Sequence, residues 1–283
     1  MANYNRPQPQ RQPLPQHAAE RIQRMRGGPQ APRFWTSDLS VKEFLLVREA
    51  GFECAGLVMG SSIYHVGYQQ AGYTQNMEMG VLTQALYQAR ELAMARMEEE
   101  AHELGADGVI GVRLKVNRHA WGEQLLEFVA IGTAIYGRPE TAQKFQVQSW
   151  RAPSGMPFTS DLSGQDFWML LKSGYRPVSL VMGNCVYHVA HQTLGSWFSS
   201  VGQNMEMPNF TQALYDAREL AMERLQYEAQ IDGAGGVVGT EVYETSHGWD
   251  SHVIEFFAVG TSVLPIHAAE APPVPELVMT VNE

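Results

Sequence analysis

Thr83-Gln-Ala-Leu-Tyr-Gln-Ala-Arg-Glu-Leu-Ala-Met94 returns as Thr211-Gln-Ala-Leu-Tyr-Asp-Ala-Arg-Glu-Leu-Ala-Met222 with one change in twelve positions, so the chain carries two copies of one unit. At about 100° per residue, Leu86, Ala89, Ala93, Met97, Ala101 and Leu104 fall on about a third of a helix surface, the stripe of a helix lying on a core. Leu214, Ala217, Ala221, Leu225 and Ala229 repeat it. Three alanines per stripe leave little side-chain bulk, which predicts a helix pressed close against a sheet. Thr83 and Thr211 are placed to cap the helix starts, and Gly105 and Gly233 to end the helices in the left-handed conformation. Arg96 with Glu100, and Arg224 with Glu228, have the spacing of solvated pairs on the outer side.

Each helix is followed by a glycine turn and two β-rich runs. In the first copy these are Gly105-Ala-Asp-Gly-Val-Ile-Gly-Val-Arg-Leu-Lys-Val116 and Leu125-Leu-Glu-Phe-Val-Ala-Ile-Gly-Thr-Ala-Ile135; in the second they cover residues 233–243 and 253–263. Joined by a short polar corner, they read as an antiparallel hairpin. A further strand precedes each helix, around Leu57-Val-Met-Gly60 and Leu180-Val-Met-Gly183, and a short helix capped by Ser40 or Ser163 opens each unit. The fold class is therefore α+β: two tandem β-α-β-β two-layer units, each led by a short helix. The last strand is apolar on both sides, with Leu126, Phe128 and Ala130 on one and Leu125, Val129 and Ile131 on the other. One helix covers one face, so the other must meet a second domain or stand as a large apolar patch. Extensive contact between domains, within and between chains, follows.

With 283 residues and 45% apolar content the chain can hold two domains of about 100 residues. Residues 1–33, rich in Pro, Gln and Arg, read as a disordered basic arm; a solvated tail is the leading expectation, and a short basic helix over Ala18–Arg26 on an anionic partner is the alternative. Residues 34–137 form the first unit, 138–156 a linker in which Phe145, Val147 and Trp150 suggest close apposition to the body, 157–264 the second unit, and 265–283 a flexible tail. The loop before the second main helix is longer by five residues and contains Gly195-Ser-Trp-Phe198, the largest difference between the copies. Of the net charge of −10, the first 33 residues carry +5 and the rest −15. An acidic body argues against a nucleic-acid-binding core and leaves only non-specific contact by the arm. Cys54 and Cys185 occupy non-equivalent positions and read as two buried free thiols. The absence of an apolar run of about 20 residues and of a signal-peptide core predicts a cytoplasmic protein without a membrane span.

The order Tyr64-His-Val66 after Val-Met-Gly, the Ala-Arg-Glu-Leu-Ala helix, the Gly-Ala-Asp107 turn and the closing Gly132-Thr-Ala134 resembles the YbjQ-like family, often labelled a heavy-metal-binding domain. The resemblance covers roughly residues 52–137 and 175–264. It implies a dodecin-like β-α-β-β subunit that assembles as a pentameric ring, hence a homo-oligomer, with a pentamer of tandem units favoured. Gly235 replaces Asp107 in the second copy, so no role for that carboxylate is common to both.

The family label directs attention to His65, Met77, Glu78 and Met79, and to His188, Met205, Glu206 and Met207, as ligands for a divalent or soft metal ion. Thioethers suit Cu(I), but neither unit offers four Cys or His ligands at short spacing. Against this, histidines bonded to backbone or water and methionines filling an adaptable core are the commoner arrangements. The histidines include His119 and His247, beside Trp121 and Trp249 in the hairpin corners. Glu78, Glu206, Glu127 and Glu255, set among apolar residues, need donors, and Arg90 and Arg218 are plausible ones. No nucleophile elbow, phosphate loop or dinucleotide fingerprint is present, and no catalytic or cofactor-binding residue is assigned. The leading expectation is a non-enzymatic, ring-forming binding or scaffold protein; a metal-binding protein is the alternative, and an enzyme ranks third.

Overall fold

Ser40 and Ser163 do what their positions predict. Each accepts a hydrogen bond from the amide three residues on, Glu43 or Asp166, and so starts a short helix, α2 (Val41–Glu49) and α5 (Gly164–Lys172). In this computed structural model the described residues are 13–28, 32–65, 76–118, 125–190, 206–246 and 252–266. The insertion Gly195-Ser-Trp-Phe198, His119, His247, Met205 and the tail beyond Ile266 lie outside them.

The first unit contains β1 (Phe52–His65), the main helix α3 (Gly80–Glu103), β3 (Gly108–Arg118) and β4 (Leu125–Gly137), with a two-residue strand β2 (Met77–Glu78) before the helix. The second repeats this as β6 (Tyr175–His188), α6 (Pro208–Ile231), β7 (Gly236–Thr245) and β8 (Val253–Pro265), led by β5 (Phe158–Thr159). The two β-α-β-β units expected from the sequence are thus present, but they exchange strands. One sheet runs β1-β4-β3-β5 and the other β2-β6-β8-β7, so each contains a short strand from the other unit. Registers match: Phe52↔Gly137 to His65↔Leu125 in one, Tyr175↔Pro265 to His188↔Val253 in the other.

The alanine stripes bring helix and sheet together. A Cβ on Gly60 would come within 3.0 Å of the Ala93 carbonyl oxygen, and one on Gly183 equally close to that of Ala221. Gly105 and Gly233 end the helices at φ 73° and 69°, as their positions predict. The helix starts differ from expectation. Both helices begin three residues before the threonines, after Met79 and Met207, which make no side-chain cap. Pro208 suits the first helical position, and Met79 is fixed because its N–H donates to Val186 O (2.8 Å). Nor are Glu100 and Glu228 on a solvated face: both are buried and accept from the amides of Met59 and Met182, each at 2.8 Å.

Part of the segment read as a solvated arm is a docked helix, α1 (Gln16–Arg26). Ile22 and Met25 are buried against the first unit, Arg21 donates to Leu57 O (2.8 Å) and pairs with Glu100, and Arg26 lies 3.6 Å from Glu103. Arg21 and Arg26 therefore neutralise carboxylates of the chain's own main helix. Between the units, α4 (Pro139–Lys144) leads into Phe145 and Trp150, both buried with Phe52, Phe158 and Phe167 in an aromatic seam.

Candidate functional site

The unusual feature lies where the two units meet. Residues 76–79 of the first unit cross to the edge of β6, pairing Met77 with His188 and Glu78 with Tyr187. The outer face of α3 then lies over the outer face of the β6–β8 sheet. Leu180, Met182, Val186, Val253, Phe257 and Val259 join the core beneath α3 as one cluster. Burying each such side chain stabilises the arrangement by about 1.5–3 kcal/mol. The doubly apolar strand thus has its second face covered, in the second unit, by the first.

Polar side chains are threaded through this apolar contact and pair across it. Arg90, on α3, donates to Glu255 on β8 at 2.7 Å with both side chains buried, and its guanidinium lies 4.0 Å from the Phe257 ring centroid. Thr83 supplies two acceptors: its hydroxyl takes the Val186 N–H (2.9 Å) and its carbonyl the Asn184 side-chain N–H (3.0 Å). Glu78 lies 2.8 Å from Arg224 on α6, whose other terminal nitrogen donates to Asn184 O (2.6 Å). Two of the carboxylates singled out in the sequence thus meet arginines, across the unit boundary rather than within a unit. Thr83, Asn184 and Arg224 had no assigned role of this kind in the sequence. The available signal was that an Arg on the helix and a Glu on an apolar strand recur together in both copies.

Among the described residues, those weighed as metal ligands fall in three separate places. His65 ends β1 in solvent, whereas Met77, Glu78 and Met79 lie beside His188 of the other unit. Met79 is buried, and Met77 is exposed at the rim. Glu206 and Met207 are exposed before α6, where Glu206 accepts from the Thr211 hydroxyl (3.0 Å). Among the described residues no three His, Cys, Asp or Glu are grouped to hold a metal. At Glu78 the guanidinium of Arg224 stands against the carboxylate, an arrangement that does not suit a cation at that residue. Burial pushes the Cys54 thiol up to about 11 and that of Cys185 to about 12, so neither offers a thiolate at neutral pH.

The mirror image of this interface is open on both outer flanks. Met59 and Ile63 occupy on the first sheet the places of Met182 and Val186 on the second. They are 41% and 55% exposed, against 1% and 0%. Tyr215 on α6, equivalent to Tyr87 on α3, is 54% exposed against 1%. Each flank repeats one half of a contact that the chain already makes internally. Among the described residues no helix is long and apolar enough to cross a membrane.

A family described as "Putative heavy-metal-binding" matches the sequence twice, over residues 52–138 and 176–265. A protein of Mycobacterium tuberculosis named as an encapsulin nanocompartment protein is 50% identical over 233 residues, 82% of this chain and 87% of that protein. A UPF0145 protein of Clostridium perfringens is 40% identical over 88 residues, 29% of this chain and 81% of its own length. Another, from Halorubrum lacusprofundi, is 37% identical over 103 residues, 35% of this chain and 96% of its own length. These last two correspond in length to one unit.

Proposed function

Because the chain belongs to the YbjQ family, in a tandem form with two units per polypeptide, we propose that it is a non-enzymatic scaffold that assembles with copies of itself in the cytoplasm. The observation that carries this reading is the pair of open flanks. The sheet face bearing Met59 and Ile63 and the helix face bearing Tyr215 are the two halves of the interface that the units form with each other. Large apolar faces of this kind mark association surfaces. Because the halves differ, contact between copies is head to tail, and such contacts close into a ring or run on as a filament. The ring is the form favoured for this chain, with five chains and ten units.

Charge supports the same pairing. Glu127 on β4 and Arg218 on α6 are the equivalents of Glu255 and Arg90, and they would meet across the contact between copies as that pair does within one. The relative from M. tuberculosis is named as an encapsulin nanocompartment protein, and assembly is the part of that description carried to this chain. Two buried thiols suit the reducing cytoplasm.

Light scattering at micromolar concentration is expected to give a multiple of the chain mass. Ile63→Asp places a charge on a residue already exposed in the single chain and is expected to return the mass to one chain without unfolding it. A wild-type protein of single-chain mass across the micromolar range overturns the reading.

A further inference from the structure

The scaffold reading leaves open what fixes the orientation of one copy on the next, and the lead-in segments before α2 and α5 bear on this. Within the chain, the lead-in of the second unit adds a parallel strand, β5, to the edge of β3. Phe158 N donates to Asp107 O, Ser160 N to Val109 O, Val112 N to Ser160 O and Gly111 N to Leu162 O, all at 2.9 Å. Phe158 is fully buried with its ring over Gly108, so close that a Cβ there would come within 3.0 Å of it. Strand and ring together form a latch between the units.

The first unit has the same lead-in, held in the same shape but without an edge to join. Ser37 and Asp38 bond to Thr133 just as Ser160 and Asp161 bond to Thr261. Leu39 N donates to Ser37 Oγ (2.9 Å) as Leu162 N does to Ser160 Oγ (3.1 Å). Trp35, in the place of Phe158, stacks on Phe44 at an interplanar angle of 18°, the angle at which Phe158 stacks on Phe167. Yet Trp35 is 40% exposed. The matching seat is open too. β7 is the terminal strand of its sheet, and Gly236, the equivalent of Gly108, has nothing within 4 Å of an added Cβ.

We propose that residues 35–37 of one copy add as a parallel strand to the β7 edge of the next, seating Trp35 over Gly236. This rests on the self-assembly reading and specifies its latch. Trp35 N would donate to Gly235 O, Ser37 N to Val237 O and Thr240 N to Ser37 O of the neighbouring copy, the pattern seen at the internal junction. Strand addition to an exposed edge gives affinity through the main chain and specificity through the side-chain seat. The segment is already shaped and its tryptophan already stacked, so little ordering opposes docking. Two unlike edges that fit only each other also set the head-to-tail polarity.

Gly236→Leu fills the seat, and the open space around it lets a single chain carry the side chain without strain. Trp35→Ala removes the occupant. Sedimentation over a concentration series is expected to show each variant dissociating at a concentration at least about tenfold higher than wild type. The thermal melt of the dissociated Gly236→Leu chain should be unchanged, and the double variant should be no weaker than Trp35→Ala alone, since both changes remove one contact. If both single variants assemble as the wild type does, the latch is overturned while the scaffold reading stands. A wild type that never assembles overturns both.

Discussion

A guanidinium and a carboxylate taken out of water lose several kcal/mol of hydration each, and Arg90 and Glu255 offset this through their mutual contact and through the Phe257 and Phe128 ring faces around the guanidinium. The pair therefore works as a register pin: α3 can lie on the β6–β8 sheet at one offset without leaving a charge buried alone. Arg90→Met is expected to destabilise the fold by about 3–5 kcal/mol, since Glu255 stays buried without its cation. Adding Glu255→Leu to the same chain should restore most of that loss. Urea midpoints of the two variants measure both effects, and a single variant as stable as wild type would remove the pinning role. The sequence displayed the need, a glutamate in an apolar strand, and named Arg90 as a donor. It did not display the pairing across units, because neither residue's spacing within its own copy encodes where the other copy sits.

At the scale of elements, the helix–sheet contact depends on what is missing from its glycines and alanines. Gly60 and Gly183 let the strand backbone approach the carbonyl oxygens of Ala93 and Ala221, so a single methyl would lift the helix off the sheet. Gly183→Ala is expected to cost about 1–3 kcal/mol, read as a lower thermal midpoint. Gly236→Ala, a glycine with open surroundings, should leave the midpoint of the single chain unchanged. Equal midpoints for these two variants would show that the close approach is not limiting. The stripe of small residues announced this contact from sequence, and the glycine C-termini were equally legible. The helix starts were not, since the exit of β2 onto a strand of the other unit fixes Met79 and leaves Thr83 free to serve the interface.

For the whole molecule, the contact between units, with its shared apolar cluster and buried ion pair, is expected to hold without the covalent link. Pro153, Ser154 and Gly155 form an exposed stretch of the connection. A protease site placed there should be cut readily, and the two halves should still elute together on gel filtration at micromolar concentration. Halves that separate would show that the tether, rather than the interface, holds the units in place. If the same contact repeats between copies, every closed ring holds an even number of units, because each chain contributes two.

The repeat, the amphipathic main helix, the strand pattern and the last strand's two apolar faces are local or periodic properties, and the sequence alone determined them along with the need for a neighbouring domain. A helix over Ala18–Arg26 was legible as an alternative, but its docking on the chain's own first unit was not, because Ile22 and Met25 are a thin apolar signal within a segment rich in Pro, Gln and Arg. Only the tertiary structure decided which unit covers which face, which arginine meets which glutamate, and that β2 and β5 cross over. Those contacts join residues on the order of a hundred positions apart, and their geometry depends on how two rigid units are set against each other, a quantity no residue pattern within either unit records.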